Sequence, residues 1–142
     1  MKIMRYLITM LLSTAFISSY SQDQIHGLWL TGEGQTKVEI SENSQGLYEG
    51  KVVWLKNATD KEGNAITDRK NPDSSLRNRP IMGIAILENI QYQDGEWKAT
   101  IYSPKRGKRL PCTLSLTASD VLKIEVEIMG MTRDRLWTRV DI

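Results

Sequence analysis

The sequence predicts a small all-β protein, an antiparallel up-and-down β-barrel of about eight strands that carries one long structured loop. Three observations lead there. Apolar residues recur at every second position through most of the chain, the period of half-buried strands. Clusters of turn-forming residues punctuate these runs at hairpin spacing. Nothing after residue 22 sustains a helical period.

The chain opens MKIMRYLITMLLSTAFISSYSQDQ, with Lys2 and Arg5 ahead of an uncharged run from Tyr6 to Ser21 and small residues at Ser19 and Ser21. A positive start, an apolar stretch and a small-x-small site form the pattern of a secretory signal peptide. The apolar part, Tyr6 to Ile17, is shorter than a membrane span. Residues 1–21 are therefore read as a signal peptide cleaved near Ser21/Gln22, and residues 22–142 as a single domain of the periplasm or the exterior. No cysteine stands near the cleavage site to accept lipid, and no later stretch is apolar enough to span a bilayer, so no membrane insertion is expected.

The expected strands lie near 27–31, 36–42, 47–56, 82–91, 97–103, 109–117, 121–129 and 133–141. Alternation is clearest in Val38 and Ile40, in Leu110, Cys112, Leu114 and Leu116, in Leu122, Ile124, Val126 and Ile128, and in Leu136, Thr138 and Val140. The turns between them are GEGQ (32–35), NSQG (43–46), QDGE (93–96), KRGK (105–108) and ASD (118–120). Closing such a series into a barrel removes its edges and can enclose one small ligand. Closure would set Trp29 of the first strand beside Arg139 of the last. A guanidinium stacked on an indole contributes about 0.5–2 kcal/mol when shielded from water.

Charge and cysteine content exclude several functions. Of 19 basic residues, Lys2 and Arg5 belong to the signal, which leaves 17 against 17 acidic residues. A balanced domain has no electrostatic footprint for nucleic acid, and the basic cluster Lys105, Arg106, Lys108 and Arg109 is short and local. Cys112 is the only cysteine and His26 the only histidine, so there is no internal disulfide, no zinc set and no serine triad. No pattern in the chain calls for a cofactor.

One connection is long: NATDKEGNAITDRKNPDSSLRNRP, residues 57–80. Connections of this length in compact domains are functional or disordered. Here Asn71-Pro72 and Arg79-Pro80 restrict the backbone, Asp60 to Gly63 makes a turn, and Asp68, Asp73, Arg77 and Arg79 can pair among themselves. A structured lid or brace is expected.

The run GKVVWLKNATDKEGNAITDRKNPDSSLRNRPIMG, residues 50–83, resembles the exported bacterial family called domain of unknown function 2147 (DUF2147). The likeness extends over the mature chain. It is carried by Gly27 and Trp29, by Trp54, by Asp68, Asn71, Pro72, Asp73, Leu76, Arg77, Arg79, Pro80 and Gly83, by Ile101, Tyr102, Pro104, Gly107 and Lys108, and by Trp137 and Arg139. Ser103 and Leu110 depart from the pattern, where an aspartate and an aromatic are usual. The resemblance implies export and a lipocalin/calycin-like small barrel, with no established activity.

Two readings of the charged loop follow. In one, Asp68, Asn71 and Asp73 brace it, Asp73 capping the turn that Pro72 begins while each arginine meets an aspartate or a loop carbonyl. In the other, Arg77 and Arg79 grip an anionic group, with Trp54, Tyr48 and Tyr102 lining an apolar ligand cavity. The alternating charge favours the brace. Oxygen ligands for calcium at Asp60, Glu62, Asn64 and Asp68 lack the full loop pattern. Strict alternation places Tyr48, Val52 and Trp54 on one face of their strand and Val53 and Leu55 on the other. The function that best fits is capture of a small hydrophobic or amphipathic molecule. The alternatives are an envelope interaction protein with a filled barrel and an enzyme using the loop carboxylates.

Overall fold

The computed structural model describes residues 22–141, so the signal-peptide reading of residues 1–21 lies outside the described residues. After a 3₁₀ turn at Gln22–Ile25 come eight strands: β1 (Gly27–Leu30), β2 (Thr36–Glu42), β3 (Tyr48–Leu55), β4 (Ala85–Gln93), β5 (Glu96–Ser103), β6 (Lys108–Ala118), β7 (Val121–Ile128) and β8 (Met131–Val140). Each pairs antiparallel with its neighbour in sequence, and β8 returns to β1 to close the barrel. The expected strands are all present. β4 begins later than the alternation suggests because Gly83 and Ile84 still exchange backbone hydrogen bonds with Val52 as part of the incoming loop.

This topology sorts the connections between two ends. The terminal end holds the 3₁₀ turn, the close of β8 and the β2–β3, β4–β5 and β6–β7 turns. The loop end holds the β1–β2 turn, the 56–84 connection and the β5–β6 and β7–β8 turns.

Inward side chains follow the period of two and form one core, with Trp29, Val38, Ile40, Leu87, Leu114, Leu122 and Ile124 wholly shielded from water. Burying each large apolar side chain contributes about 1.5–3 kcal/mol. Tyr48, Trp97 and Trp137 are buried too, and all three sit near terminal-end turns: Tyr48 opens β3, Trp97 opens β5, and Trp137 pairs with Leu122 at the start of β7. Cys112 points into this core, where burial pushes its thiol up to about 12 and leaves it unreactive.

One expectation fails on β3. Lys37 pairs with Trp54 but the next residue, Val38, pairs with Val52, so Val53 is an extra residue in the ladder. A bulge of this kind reverses the facing of everything beyond it. Val52 therefore points inward, while Trp54 turns outward and Leu55 inward. Trp54 does not share a face with Tyr48 and Val52. It is 38% exposed on the outer wall, with the Lys37 ammonium 5.2 Å from its ring centre.

Arg139 ties the terminal end together. It stands opposite Trp29 in the β1–β8 ladder, and its guanidinium lies 4.3 Å from the indole centre. Its Nε donates to Ser119 O at 3.0 Å, Nη1 to His26 O at 2.6 Å and Nη2 to Gln24 O at 2.7 Å. The buried Trp29 Nε1 donates to Ile25 O at 2.9 Å. Gly27 is required here: its φ is +136°, and a Cβ would stand 2.6 Å from Arg139 Nη1.

Candidate functional site

The loop end is built differently. None of the core tryptophans reaches it, and a cavity of about 770 Å³ opens there to solvent. Its floor and walls are aliphatic: Val52 and Leu55 from β3, Ile86 from β4, and Ile66 and Ile81 from the long connection. Leu55 reaches it because the Val53 bulge turned that side chain inward. The volume lies within the range typical of small-molecule sites, about 300–1,000 Å³.

The connection is folded by its own short-range bonds. Asp60 accepts from the backbone N–H groups of Glu62 and Asn64, which spends its carboxylate on a turn. Isolated bridges join Thr59 to Ala65 and Thr67 to Pro80. A single 3₁₀ turn, Ser74–Leu76, is capped by Asp73, whose Oδ1 accepts from the backbone N–H of Ser75 at 3.0 Å and from its hydroxyl at 2.7 Å. Arg77 Nε donates to Asn71 O at 2.8 Å.

At the centre is a buried carboxylate. Asp68, fully shielded, accepts from Tyr102 Oη at 2.6 Å, Asn71 Nδ2 at 2.7 Å, Arg79 Nη2 at 3.0 Å and Arg79 Nε at 3.1 Å. The buried Asn71 in turn accepts from the backbone N–H of Asp73. Burial opposes the charge on Asp68, but the bonds from Asn71, Tyr102 and Arg79 and the Arg79 charge outweigh it, so its pKa lies below the usual carboxylate value. Tyr102 moves the other way. Burial first, then its bond to Asp68 and that residue's charge, push its phenol up to about 12. An ionised, fully bonded acid beside a firmly protonated phenol is set up to hold structure and has no free proton acceptor.

Tyr102 itself sits on the outside of the wall. Alternation along β5 puts Trp97, Ala99 and Ile101 inward and Lys98, Thr100 and Tyr102 outward. Tyr102 is nevertheless buried, because the connection crosses the mouth, passes over the rim and lays Asp68 on this ring. The Arg109 guanidinium covers the ring at 4.6 Å and is itself paired with Glu88. The same crossing fixes Gly107: its φ is +64°, and a Cβ would collide with the carbonyl oxygen of Lys70.

The residues singled out from the sequence thus fall in four places. Asp68, Asn71, Asp73, Arg77, Arg79 and Tyr102 come together in the loop network. Trp29 and Arg139 meet at the terminal end. Tyr48 is buried and borders a smaller groove of about 300 Å³ beside β4, apart from the large cavity. Trp54 lies on the outer wall. Arg77, Arg79, Tyr48, Tyr102 and Trp54 are all absent from the lining of the large cavity. Sequence alone does not reach the aliphatic lining; the one local signal is that Ile66 and Ile81 bracket a stretch whose only other large apolar residue is Leu76.

A family model described as "Uncharacterized protein conserved in bacteria", domain of unknown function 2147, matches residues 27–139. No curated protein matches the chain. The solved structure of a protein from Helicobacter pylori, described as belonging to the lipocalin family, is similar with a TM-score of 0.67 and 21% identity, over 82% of each chain. The closed eight-strand barrel is therefore lipocalin-like in fold.

Proposed function

We propose that this chain, which belongs to the DUF2147 family, is an exported binding protein that takes one small, largely apolar molecule into the loop end of its barrel. The observation that carries the reading is the half-filled interior. Aromatic side chains occupy the terminal half, while an aliphatic cavity of about 770 Å³ stands open at the other. A fold that needed only stability would gain by filling that space, since unfilled apolar volume costs packing contacts. The loop network supports the same reading, because its buried Asp68 holds Ile66 and Ile81 over the mouth as part of the cavity wall. Export rests on the pattern of residues 1–21, a positive start, an apolar stretch and a small-x-small site.

Native mass spectrometry of the protein purified from its own cell envelope, followed by identification of what is released on denaturation, tests this. A single bound apolar or amphipathic molecule is expected, and Ile66→Trp, which fills the cavity from its half-buried loop wall, should abolish it. A protein that remains empty when offered apolar compounds, or an occupant unaffected by Ile66→Trp, would contradict the reading.

A further inference from the structure

The cavity has a polar rim whose composition is uneven. Four charged residues border it: Glu33 from the β1–β2 turn, Arg69 and Lys70 from the long connection, and Lys105 from the β5–β6 turn. Glu33 pairs with Lys105 at 3.6 Å, and both side chains are well exposed. Arg69 and Lys70 have no carboxylate partner among the described residues. The loop's own acids are engaged elsewhere, Asp60 and Asp73 in turns and Asp68 with Arg79 and Tyr102. Although the charges of residues 22–142 balance in total, the mouth is left with two unneutralised cations above an aliphatic floor.

Their position is fixed by the fold. Asp68 and Asn71 are turned into the buried network, which leaves the two residues between them, Arg69 and Lys70, facing the mouth. The backbone of Lys70 lies on Gly107, so the cations are held against the β5–β6 turn and cannot drift with the loop.

Resting on the binding reading above, we infer that the occupant is a single-chain anionic amphiphile. Its hydrocarbon chain lies between Val52, Leu55, Ile66, Ile81 and Ile86, and its carboxylate or phosphate meets Arg69 and Lys70 at the rim. A neutral apolar compound would fill the same floor but leave both cations unused. Arginine beside lysine offers a planar fork and a mobile ammonium, which together suit a tetrahedral or planar oxyanion.

Titration of the mature protein with dodecanoate, dodecyl phosphate and dodecan-1-ol, below their aggregation concentrations, separates the possibilities. At least one anion should bind roughly tenfold more tightly than the alcohol, the gain of one charge-assisted contact at a partly exposed site. The tighter anion identifies the head group. That advantage should shrink with added salt. It should disappear in Arg69→Glu/Lys70→Glu, exposed positions whose side chains make no hydrogen bond or ion pair among the described residues, and persist in Lys61→Glu, a charge reversal elsewhere in the loop. Equal binding of alcohol and anions, or an anion preference that survives the double reversal, would overturn the head-group assignment while leaving the apolar cavity in place. Failure of all three compounds to bind would overturn the cavity reading as well.

Discussion

The two ends of this barrel each set an arginine against an aromatic ring, with opposite results. At the terminal end Arg139 lies on Trp29 and satisfies three backbone carbonyls from two separate segments, the N-terminal turn and the β6–β7 turn, and the interior behind it is filled with indole and phenol rings. At the loop end Arg109 lies on Tyr102 and Arg79 on Asp68, but both aromatic and acid are on the outer wall, and the interior beside them is open. The first cluster seals the barrel and the second straps a loop over its rim. A strap anchored outside can hold a cover in place without filling what it covers.

The strap should break most severely at Asp68. Asp68→Ala leaves the Arg79 guanidinium, the Tyr102 hydroxyl and the Asn71 amide without their shared acceptor, a loss of about 3 kcal/mol by analogy with broken buried pairs. Limited proteolysis should then cut within residues 57–84 before the barrel unfolds, since the damage is local. Gly107→Ala follows at about 2–3 kcal/mol, from a strained positive φ and a Cβ driven into the Lys70 carbonyl. It too should loosen the loop and weaken ligand capture.

At the terminal end the outcome differs in kind. Arg139→Ala should lower global stability by about 2 kcal/mol, seen as a lower midpoint in denaturant with the loop no more open to protease than before. If Arg139→Ala instead released the loop first, the two ends would not be independent.

Alkali offers a gentler way to separate them. Tyr102 has a folded pKa raised from 10.0 to about 12, so its contribution is complete below pH 10 and is lost as the pH rises through the folded value. The loop should detach between those limits, with a phenolate absorbance step that Tyr102→Phe removes. Asp68 has the opposite sign. Its pKa is depressed from 3.8, so its contribution holds above that value and fades only as the pH falls below it. The strap therefore stays closed under mildly acidic conditions. The smallest effect belongs to Trp54→Ala, which removes one exposed contact with Lys37 and should cost less than about 1 kcal/mol while leaving ligand affinity unchanged.

Most of the fold was legible because strands announce themselves locally. Val38 and Ile40, or Leu122, Ile124 and Val126, need only their own spacing to show a face, and the turns between them carry glycine, asparagine and aspartate. Trp54 shows the limit of that reasoning. Nothing in GKVVWLK marks Val53 as the extra residue, since the bulge exists only in relation to Lys37 and Val38 on the facing strand. The polar network was half legible: Asp73, Asn71 and Arg77 bond within six residues, and their roles follow from turn chemistry. The partnership of Asp68 with Tyr102 spans 34 residues and depends on which face of β5 the loop reaches. Arg69 and Lys70 were hidden among charges. Their exposure to the mouth follows only once Asp68 and Asn71 are known to turn away.

The central claim, that one half of the barrel is filled and the other built to receive a ligand, is tested most directly by isoleucine-methyl NMR during addition of dodecanoate. Ile66, Ile81 and Ile86 report on the loop half, while Ile40 and Ile90 report on the terminal half. Saturable shifts at the first three methyls, with the other two unmoved, are the predicted result. Shifts spread evenly over both halves, or none at Ile66 and Ile81, would contradict it.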